Sequence, residues 1–492
     1  AAPERCRVLE IGCGLAGHLL PLAAQFSESA FVGIDASARQ IEVAETFRQR
    51  LGLANITLRQ QDILQFSPTE GPFDYIICHG VFSWIPAAVQ QRVLSLCRTA
   101  LAPQGIALIS YNTLPGWHGR LVARDILSFR ARRLEDPEEK LREGIAALEL
   151  LANAVPPEKL HAHFLRQERE QLRGKSESYL LHEYFETHNQ PLYFHQFMSL
   201  AGAHGLQFLG EAAFHTLFPV TGLANDAEAG IQAIAADLLE VEQYRDFLRN
   251  RYFRHTLVTH REVRVDRYLP AERMAGMFVA SSLKPDSRDA AADSDAAITF
   301  ARETLATTSA DPLFKSAMLH LVDIYPAFER FEGLYARAAE RLGRVPAAEP
   351  LKDPDARTLA GALLRTYAAG AIELSVCAPR YTTHIAERPA APLYARLMAS
   401  DDGELITNLR HESYKPQKFE RHLFPLLDGA HDRAALAAAV LTLAMNGTLN
   451  FSQTDRALTT PDELRPAIEN ALDEYLPRLA QRAFLLAPPP SV

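Results

Sequence analysis

From Arg7 onward, short apolar runs alternate with stretches of helical spacing: RVLEIG, HLLPLAAQF, AFVGID, ARQIEVAETFRQRLG and ITLRQQD. Strand, helix, strand, helix, strand in this rhythm leaves little choice of architecture. Each helix returns the chain to the end where the previous strand began, so the strands run parallel and the helices cover both faces of one sheet. FDYIICHG reads as a fourth strand, AVQQRVLSLCRTAL as a helix ended by Pro103 and Gly105, and GIALISY as a fifth strand. The reading is a doubly wound α/β domain, whose ligands sit at the C-terminal edge of the strands.

After the fifth strand the order breaks. Leu141, Ile145, Leu148 and Leu151 fall at helical spacing with Arg and Glu between them, which predicts a helical insertion that could cap a site. LYFHQFMSLAGAHG followed by LQFLGEAAF reads as helix then strand, Ala227 to about Asn250 as a further helix, and FRHTLVTHREV as the last of seven strands. The expected boundaries are 1–125 for the first five strands, 126–190 for the insertion, 191–268 for the end of the core with a regulatory segment, and 269–300 for a linker. Within the linker, KPDSRDAAADSDAA is polar, rich in alanine and without periodicity. ARTLAGALLRTYAAG followed by AIELSV predicts a winged-helix-like domain over 301–395. A helical region over 396–492 ends on the amphipathic ELRPAIENALDEYLPRLAQRAFLL.

A chain of 492 residues has room for about three domains by the usual size of roughly 100–200 residues each. Its small-apolar run Ala434–Ala444 is shorter than the roughly 18 residues of a membrane span, so no membrane insertion is expected. Five cysteines without a C-x-x-C pair support neither a disulfide framework nor a metal site, and a reducing cytoplasm fits them. His161 and His163, two apart on a helix, face differently and do not change that. A formal charge of −9 argues against nucleic-acid binding, which needs clustered Lys and Arg. The opening Ala-Ala-Pro-Glu-Arg reads as a start inside a longer protein.

Gly12-Cys13-Gly14-Leu15-Ala16-Gly17 follows the first strand and matches G-x-G-x-x-G, a turn that lets backbone amides approach a ligand. A tight turn without a ligand is the competing reading. Glu10 decides between ligands: a carboxylate beside a pyrophosphate costs Coulomb energy, whereas one beside the sulfonium and ammonium of S-adenosylmethionine (SAM) is favourable. Asp35 ends the second strand, where a carboxylate can accept both ribose hydroxyls, with Ala36 beside it. Asp62 ends the third strand, where it can accept from an adenine amino group while Ile63 donates its backbone N–H. A turn or capping aspartate is the alternative for Asp62. Glu10, Gly12, Cys13, Gly14, Gly17, Asp35, Ala36, Asp62, Ile63 and His79 form the expected SAM site, with no metal.

GCGLAGHLLPLA, CHGVFSWIP, SYNTLPGWH, YLLHEYFETHNQPLYFHQF and EQYRDFLRNRYFRHTL together resemble the class I SAM-dependent methyltransferases that carry a methyltransferase regulatory domain, in particular the rickettsial lysine methyltransferases of an outer-membrane protein. The resemblance implies a Rossmann-like catalytic domain with helical insertions, a regulatory segment and a winged-helix-like region, assembled as a homodimer with a broad central cavity. The sequence departs where relatives often have Gly-Gly-Asn, reading Ala16-Gly17-His18. The segment such enzymes place before the first strand is absent from it.

Methyl transfer from a sulfonium is an in-line displacement, so the chain's tasks are alignment and exclusion of water. Making a lysine amine neutral at pH 7, from a free pKa near 10.4, costs roughly 4–5 kcal/mol, and an apolar channel lowers that cost by desolvating the ammonium. His79, just past the fourth strand, is a candidate to position or deprotonate the acceptor, against the alternative of a satisfied loop histidine. Tyr111 and Trp117, with Phe82 and Trp84, are candidate aromatic walls of the substrate channel, against core packing. Asn112, His118, Tyr179, His182 and Tyr184 rank second at the same mouth. Arg245, Arg249, Arg251, Arg254 and Arg261 have acids interleaved and read as a solvated or paired face rather than a binding patch. The expectation is a methyltransferase for lysine side chains of a protein. A methyltransferase for a small molecule or another side chain, and a non-catalytic SAM-binding scaffold, are the alternatives.

Overall fold

The computed structural model describes residues 2–218, 226–287, 291–401, 404–453 and 456–487. They fall into two units: residues 1–15, 29–44 and 57–265 form the first, and 16–28, 45–56 and 266–492 the second.

The first unit is organised by a seven-stranded sheet. Its strands are β1 (Arg7–Ile11), β2 (Ala30–Asp35), β3 (Ile56–Gln60), β4 (Phe73–Cys78), β5 (Leu101–Asn112), β6 (Leu206–Glu211) and β7 (Phe253–His260), in the order β3-β2-β1-β4-β5-β7-β6. β1 lies parallel to β2 on one side and to β4 on the other, so the strand order reverses at β1, the switch point where open sheets of this kind bind ligands. β4 and β5 are parallel, while β7 inserts antiparallel between β5 and β6. The centre of the sheet is apolar on both faces, with Leu9, Ile11, Val32, Ile34, Ile76 and Ile109 in one core cluster.

Helices α1 (Leu19–Gln25), α2 (Ala38–Leu51) and α3 (Ala87–Ala100) connect the parallel strands. The insertion is four helices: α4 (Trp117–Ala131), α5 (Pro137–Ala154), α6 (Leu160–Leu172) and α7 (Glu177–Phe185). α5 starts where Asp136 accepts the Glu139 amide at 2.8 Å and Pro137 fills the first turn. Leu141, Leu148, Leu165, Leu180 and Tyr184 give the four helices a core of their own, so the insertion is a small bundle rather than a loop. α8 (Phe194–Ala203) leads into β6, and α9 (Ala227–Ile234) and α10 (Leu238–Arg249) precede β7.

In the second unit, the stretch expected as a linker contributes structure. Phe278–Ala280, Lys284–Pro285 and Ile298–Arg302 are strands, and Leu283, Ala292, Ile298 and Phe300 enter the core packed on the helix Pro312–Ile324. Strands of two to five residues carry too short a pattern to read as a period. Residues 288–290 of that stretch lie outside the described residues. The helix Pro354–Ala368 and the strand Glu373–Ser375 do follow each other as expected, yet the strand pairs with Phe278–Ala280 and not with a wing hairpin. A helix, hairpin, helix order appears further on, in Arg433–Met445, the pair Ser452–Gln453 and Arg456–Ala457, and Pro461–Gln481. The last helix starts on a capping box between Thr460 and Glu463, and buries Leu464, Ile468, Leu472, Leu476 and Leu479. Phe47 and Leu51 pack on the core of this region, and Gln25 Nε2 donates to the Tyr394 hydroxyl at 3.3 Å. No described helix is long and apolar enough to cross a membrane.

Candidate functional site

The glycine turn is held by the sheet on its β2 side. The amides of Gly12 and Cys13 both donate to the Ile34 carbonyl, at 2.8 and 3.0 Å, which doubles the chain back as it leaves β1. Gly12 has φ +73°, and a Cβ there would lie 2.4 Å from Val81 Cγ2, so only glycine fits both the backbone and the space. Asp35 Oδ2 accepts the Gly14 amide at 2.9 Å and its Oδ1 the Ser37 amide at 2.8 Å, while its carbonyl accepts the Gln61 amide at 2.8 Å. The residue expected to meet the ribose thus also fixes the turn, and each of its oxygens keeps a further lone pair for a ligand.

Asp62 lies two residues past the end of β3, and its Oδ1 accepts the Leu64 amide at 2.9 Å, the bond of an Asx turn. The Ala36 carbonyl accepts Gln60 Nε2 at 3.3 Å, and the Ile63 carbonyl accepts from Arg92 Nε at 3.4 Å. Gly17 borders open space, with nothing within 4 Å of an added Cβ.

Glu10 is 6% exposed, near the end of β1 at the switch point. Burial and then the carboxylates of Glu10 and Asp35 push the Cys13 thiol up to about 12, which records a negative field at the turn. That field and the cradle at Gly12 fit a cationic ligand with a ribose. They would be costly for a pyrophosphate.

The opposite wall comes from β4, β5 and β7. His79 is exposed just past β4, stacks on His255 with ring centroids 5.3 Å apart, and meets Phe253 edge-on at 6.2 Å. His255 faces Ser110 across the β5–β7 ladder, and the Ser110 hydroxyl accepts the Gly80 amide at 2.8 Å. Burial, His79 and Arg251 lower the His255 pKa, partly offset by Glu211. Phe253 and His255 were not among the sequence candidates. Their strand is legible, but its insertion beside β5 is a long-range pairing without a local signal.

Trp84 and Trp117 come from the segments after β4 and β5 and meet edge-to-face at 6.1 Å, the half-buried Trp84 with His182 of α7 tilted on it at 4.4 Å and Trp117 buried behind it. Tyr111 takes a different position from the expected channel wall: it is 1% exposed, stacks on Phe197 at 4.3 Å and shares a 3.2 Å hydrogen bond with the Thr256 hydroxyl. The alternation of β5 turns it into the core. Phe82 is buried beside it, and Asn112 Nδ2 donates to Asn189 Oδ1 at 3.3 Å. His118 Nε2 lies 3.1 Å from the Tyr193 hydroxyl.

Three of the five arginines along α10 and β7, Arg245, Arg251 and Arg254, are paired with acids. Arg254, with its side chain 0% exposed, bonds Asp246 at 2.8 and 2.9 Å, Glu211 at 2.7 Å and Glu242 at 3.1 Å. Glu211 also accepts Arg251 at 2.9 Å, Thr256 Oγ1 at 2.8 Å and the His255 amide at 3.1 Å. Arg245 pairs with Glu228 and Glu242, Arg249 donates to the Thr216 and Phe218 carbonyls, and Arg261 donates to the Gly202 carbonyl. This network anchors β7, and with it the His255 side of the wall.

Three family models match the sequence. "Methyltransferase domain" covers residues 3–147, "Predicted methyltransferase regulatory domain" 176–260, and "PKMT, C-terminal winged helix domain" 387–484, which overlaps the 301–395 read from the sequence only at its end. Two Rickettsia prowazekii proteins described as uncharacterized are similar: RP789 at 27% identity over 98% of this chain and 87% of its own, and RP028 at 37% over 40% of this chain and 80% of its own. PKMT2 from Rickettsia typhi superposes with a TM-score of 0.87 at 26% identity, covering 99% of this chain and 95% of that one. Its complex with AdoHcy gives 0.86 at 25% over the same shares.

Proposed function

The chain belongs to the class I SAM-dependent methyltransferases that carry a methyltransferase regulatory domain and a PKMT-type winged-helix domain, and from that premise we propose that it methylates lysine side chains of a protein. The observation that carries the acceptor assignment is the Trp84–Trp117 pair, set where the segments after β4 and β5 flank the ligand edge of the sheet. Indole faces suit the alkyl stem and the cationic head of a lysine. The likeness to PKMT2 over nearly the whole of both chains supports the same reading.

SAM supplies a methyl group made electrophilic by its sulfonium. Glu10 would face the positive charge of that group, Asp35 and Ala36 would hold its ribose and Asp62 and Ile63 its adenine, while Gly12, Cys13, Gly14 and Gly17 would let the backbone come close. On the acceptor side, Trp84, backed by the buried Trp117, would exclude water and lower the pKa of an entering ammonium by desolvation. His79, exposed beside the half-buried imidazole of His255, would accept an N–H of the amine and so orient it.

The proposal extends to a homodimer working in a reducing cytoplasm, where its five free thiols persist, and to a winged-helix region that contacts the protein substrate rather than DNA. The test incubates the protein with labelled SAM and candidate bacterial surface proteins, then maps the label by mass spectrometry. Methylated lysine, lost in Trp117→Ala with SAM binding retained, supports the reading. Label confined to metabolites, or to carboxylate, glutamine or arginine side chains, overturns it.

A further inference from the structure

The C-terminal region carries an open groove of about 740 Å³, lined by the helix Lys418–Leu423, the hairpin of Ser452–Gln453 and Arg456–Ala457, and the last helix Pro461–Gln481. All of these lie in one continuous stretch of the second unit. Phe419, half-buried, meets Tyr475 at 4.7 Å and Phe451 edge-on at 6.1 Å, and the three rings line the groove. Ala467 and Ala471 line it from the last helix, where small side chains leave room. The volume lies within the roughly 300–1,000 Å³ of ligand pockets, so it suits a few side chains and not a folded domain.

The groove constrains its occupant in three ways. The hairpin has only two strands, so one edge of Ser452–Gln453, a strand that lines the groove, has no strand beside it among the described residues. Such an edge offers its amides and carbonyls to an extended backbone. The aromatic rings offer apolar surface to a large side chain carried by that backbone. Three charged side chains line the groove, and two of them are matched: Glu463 pairs with Arg456 at 2.7 Å, and Glu474 lies 3.7 Å from Arg478, which Glu420 also approaches at 3.9 Å. Lys418 is exposed and has no acid partner among the described residues. The unmatched charge is a cation, and its complement is a carboxylate. Residues two apart on a strand share a face, so one extended segment can bring an apolar side chain and an acid to the groove together.

We propose that this groove docks an extended segment of the acceptor protein, which adds a strand to Ser452–Gln453, seats a large apolar side chain against Phe419, Phe451 and Tyr475, and sets a carboxylate beside Lys418. The inference rests on the reading of the winged-helix region as the part that contacts a protein substrate. It gives that region a sequence preference, an acid two positions from an aromatic or large aliphatic residue.

The test selects a phage-displayed heptapeptide library on the full chain. Phe, Tyr, Trp or Leu with Asp or Glu two positions away should be enriched. Lys418→Glu should reverse the charge preference toward Lys and Arg, and its fold is kept because an acid is favourable in a first helical turn. Ala471→Trp, which fills the groove from the last helix, should weaken the selected peptides by about tenfold or more. No enrichment, or the same preference in Lys418→Glu, overturns the proposal. The selection on the unmodified chain stands if Ala471→Trp fails to fold. Retention on phosphatidylglycerol vesicles that Lys418→Glu abolishes, with no peptide enriched, would make the occupant a membrane and overturn it as well. Methylated lysine with an acceptor KM unchanged in both variants would overturn the groove and leave the lysine reading intact. Label on another residue type, with peptides still selected by the same rule, would overturn the lysine reading and leave the groove.

Discussion

Asp35 Oδ2 accepts the Gly14 amide at 2.9 Å, so one carboxylate ties the end of β2 to the turn that follows β1. Removing it takes away bonds to the turn as well as bonds to the ribose. Asp35→Ala should weaken SAM binding by about 2–3 kcal/mol in calorimetry, and Asp35→Asn by less, since its carbonyl can still accept one amide. Preference for a nicotinamide dinucleotide over SAM in the unmodified chain would contradict the cofactor assignment.

Gly12 and Gly17 should respond differently to the same change. Alanine at 12 brings Cβ to 2.4 Å from Val81 Cγ2 at a φ of +73°, whereas alanine at 17 meets nothing within 4 Å. Gly12→Ala should lower the unfolding midpoint and abolish detectable SAM binding, and Gly17→Ala should leave the midpoint within a degree or so. Combining Gly12→Ala with Val81→Ala should recover part of the loss, because it relieves the clash and not the backbone strain.

Arg254 neutralises buried acids that have no access to water. Arg254→Met should cost about 3–5 kcal/mol in denaturant unfolding, because Asp246 loses both of its charged hydrogen bonds and Glu211 keeps only Arg251. Arg254→Lys should recover only a fraction, since an ammonium cannot bond Asp246 through two parallel N–H groups. Burial raises the Asp246 pKa even with Arg254 present, so the loss in the Met variant should shrink as the pH falls and the carboxyl takes up a proton.

His255 is held neutral below the usual histidine range by burial, His79 and Arg251. The unfolded chain therefore binds a proton there before the folded one does, and stability falls as pH drops through about 6.5. The unfolding midpoint should show this slope, and His255→Gln should flatten it. Methyl transfer should change in the opposite region, rising above neutrality as the acceptor amine loses its proton. An unchanged slope in His255→Gln would place the titration elsewhere.

The parallel half of the sheet and its glycine turn are legible because each depends on residues adjacent in the chain: the apolar runs, Gly12, and the acids that end three consecutive strands. Asp62 shows where legibility thins, since an Asx turn and an adenine contact ask for the same residue in the same place. Tyr111 and Phe82 read as loop aromatics, and packing on Phe197 took them inward, a contact spanning more than eighty residues that no local pattern encodes. His255 lies beyond local reading for the same reason. What singles it out is the partner it has across the fold.

The two units are interleaved along the chain, which passes between them five times before residue 266. Phe47 and Leu51, at the end of α2, belong to the core of the C-terminal region. Neither unit is therefore a transferable cassette. A single recombination point near residue 266 would carry off the large segment of the second unit and strand its two small ones, so exchange of the C-terminal region between relatives demands matched changes in residues 16–28 and 45–56. Heredity should treat these distant stretches as one piece, inherited and altered together.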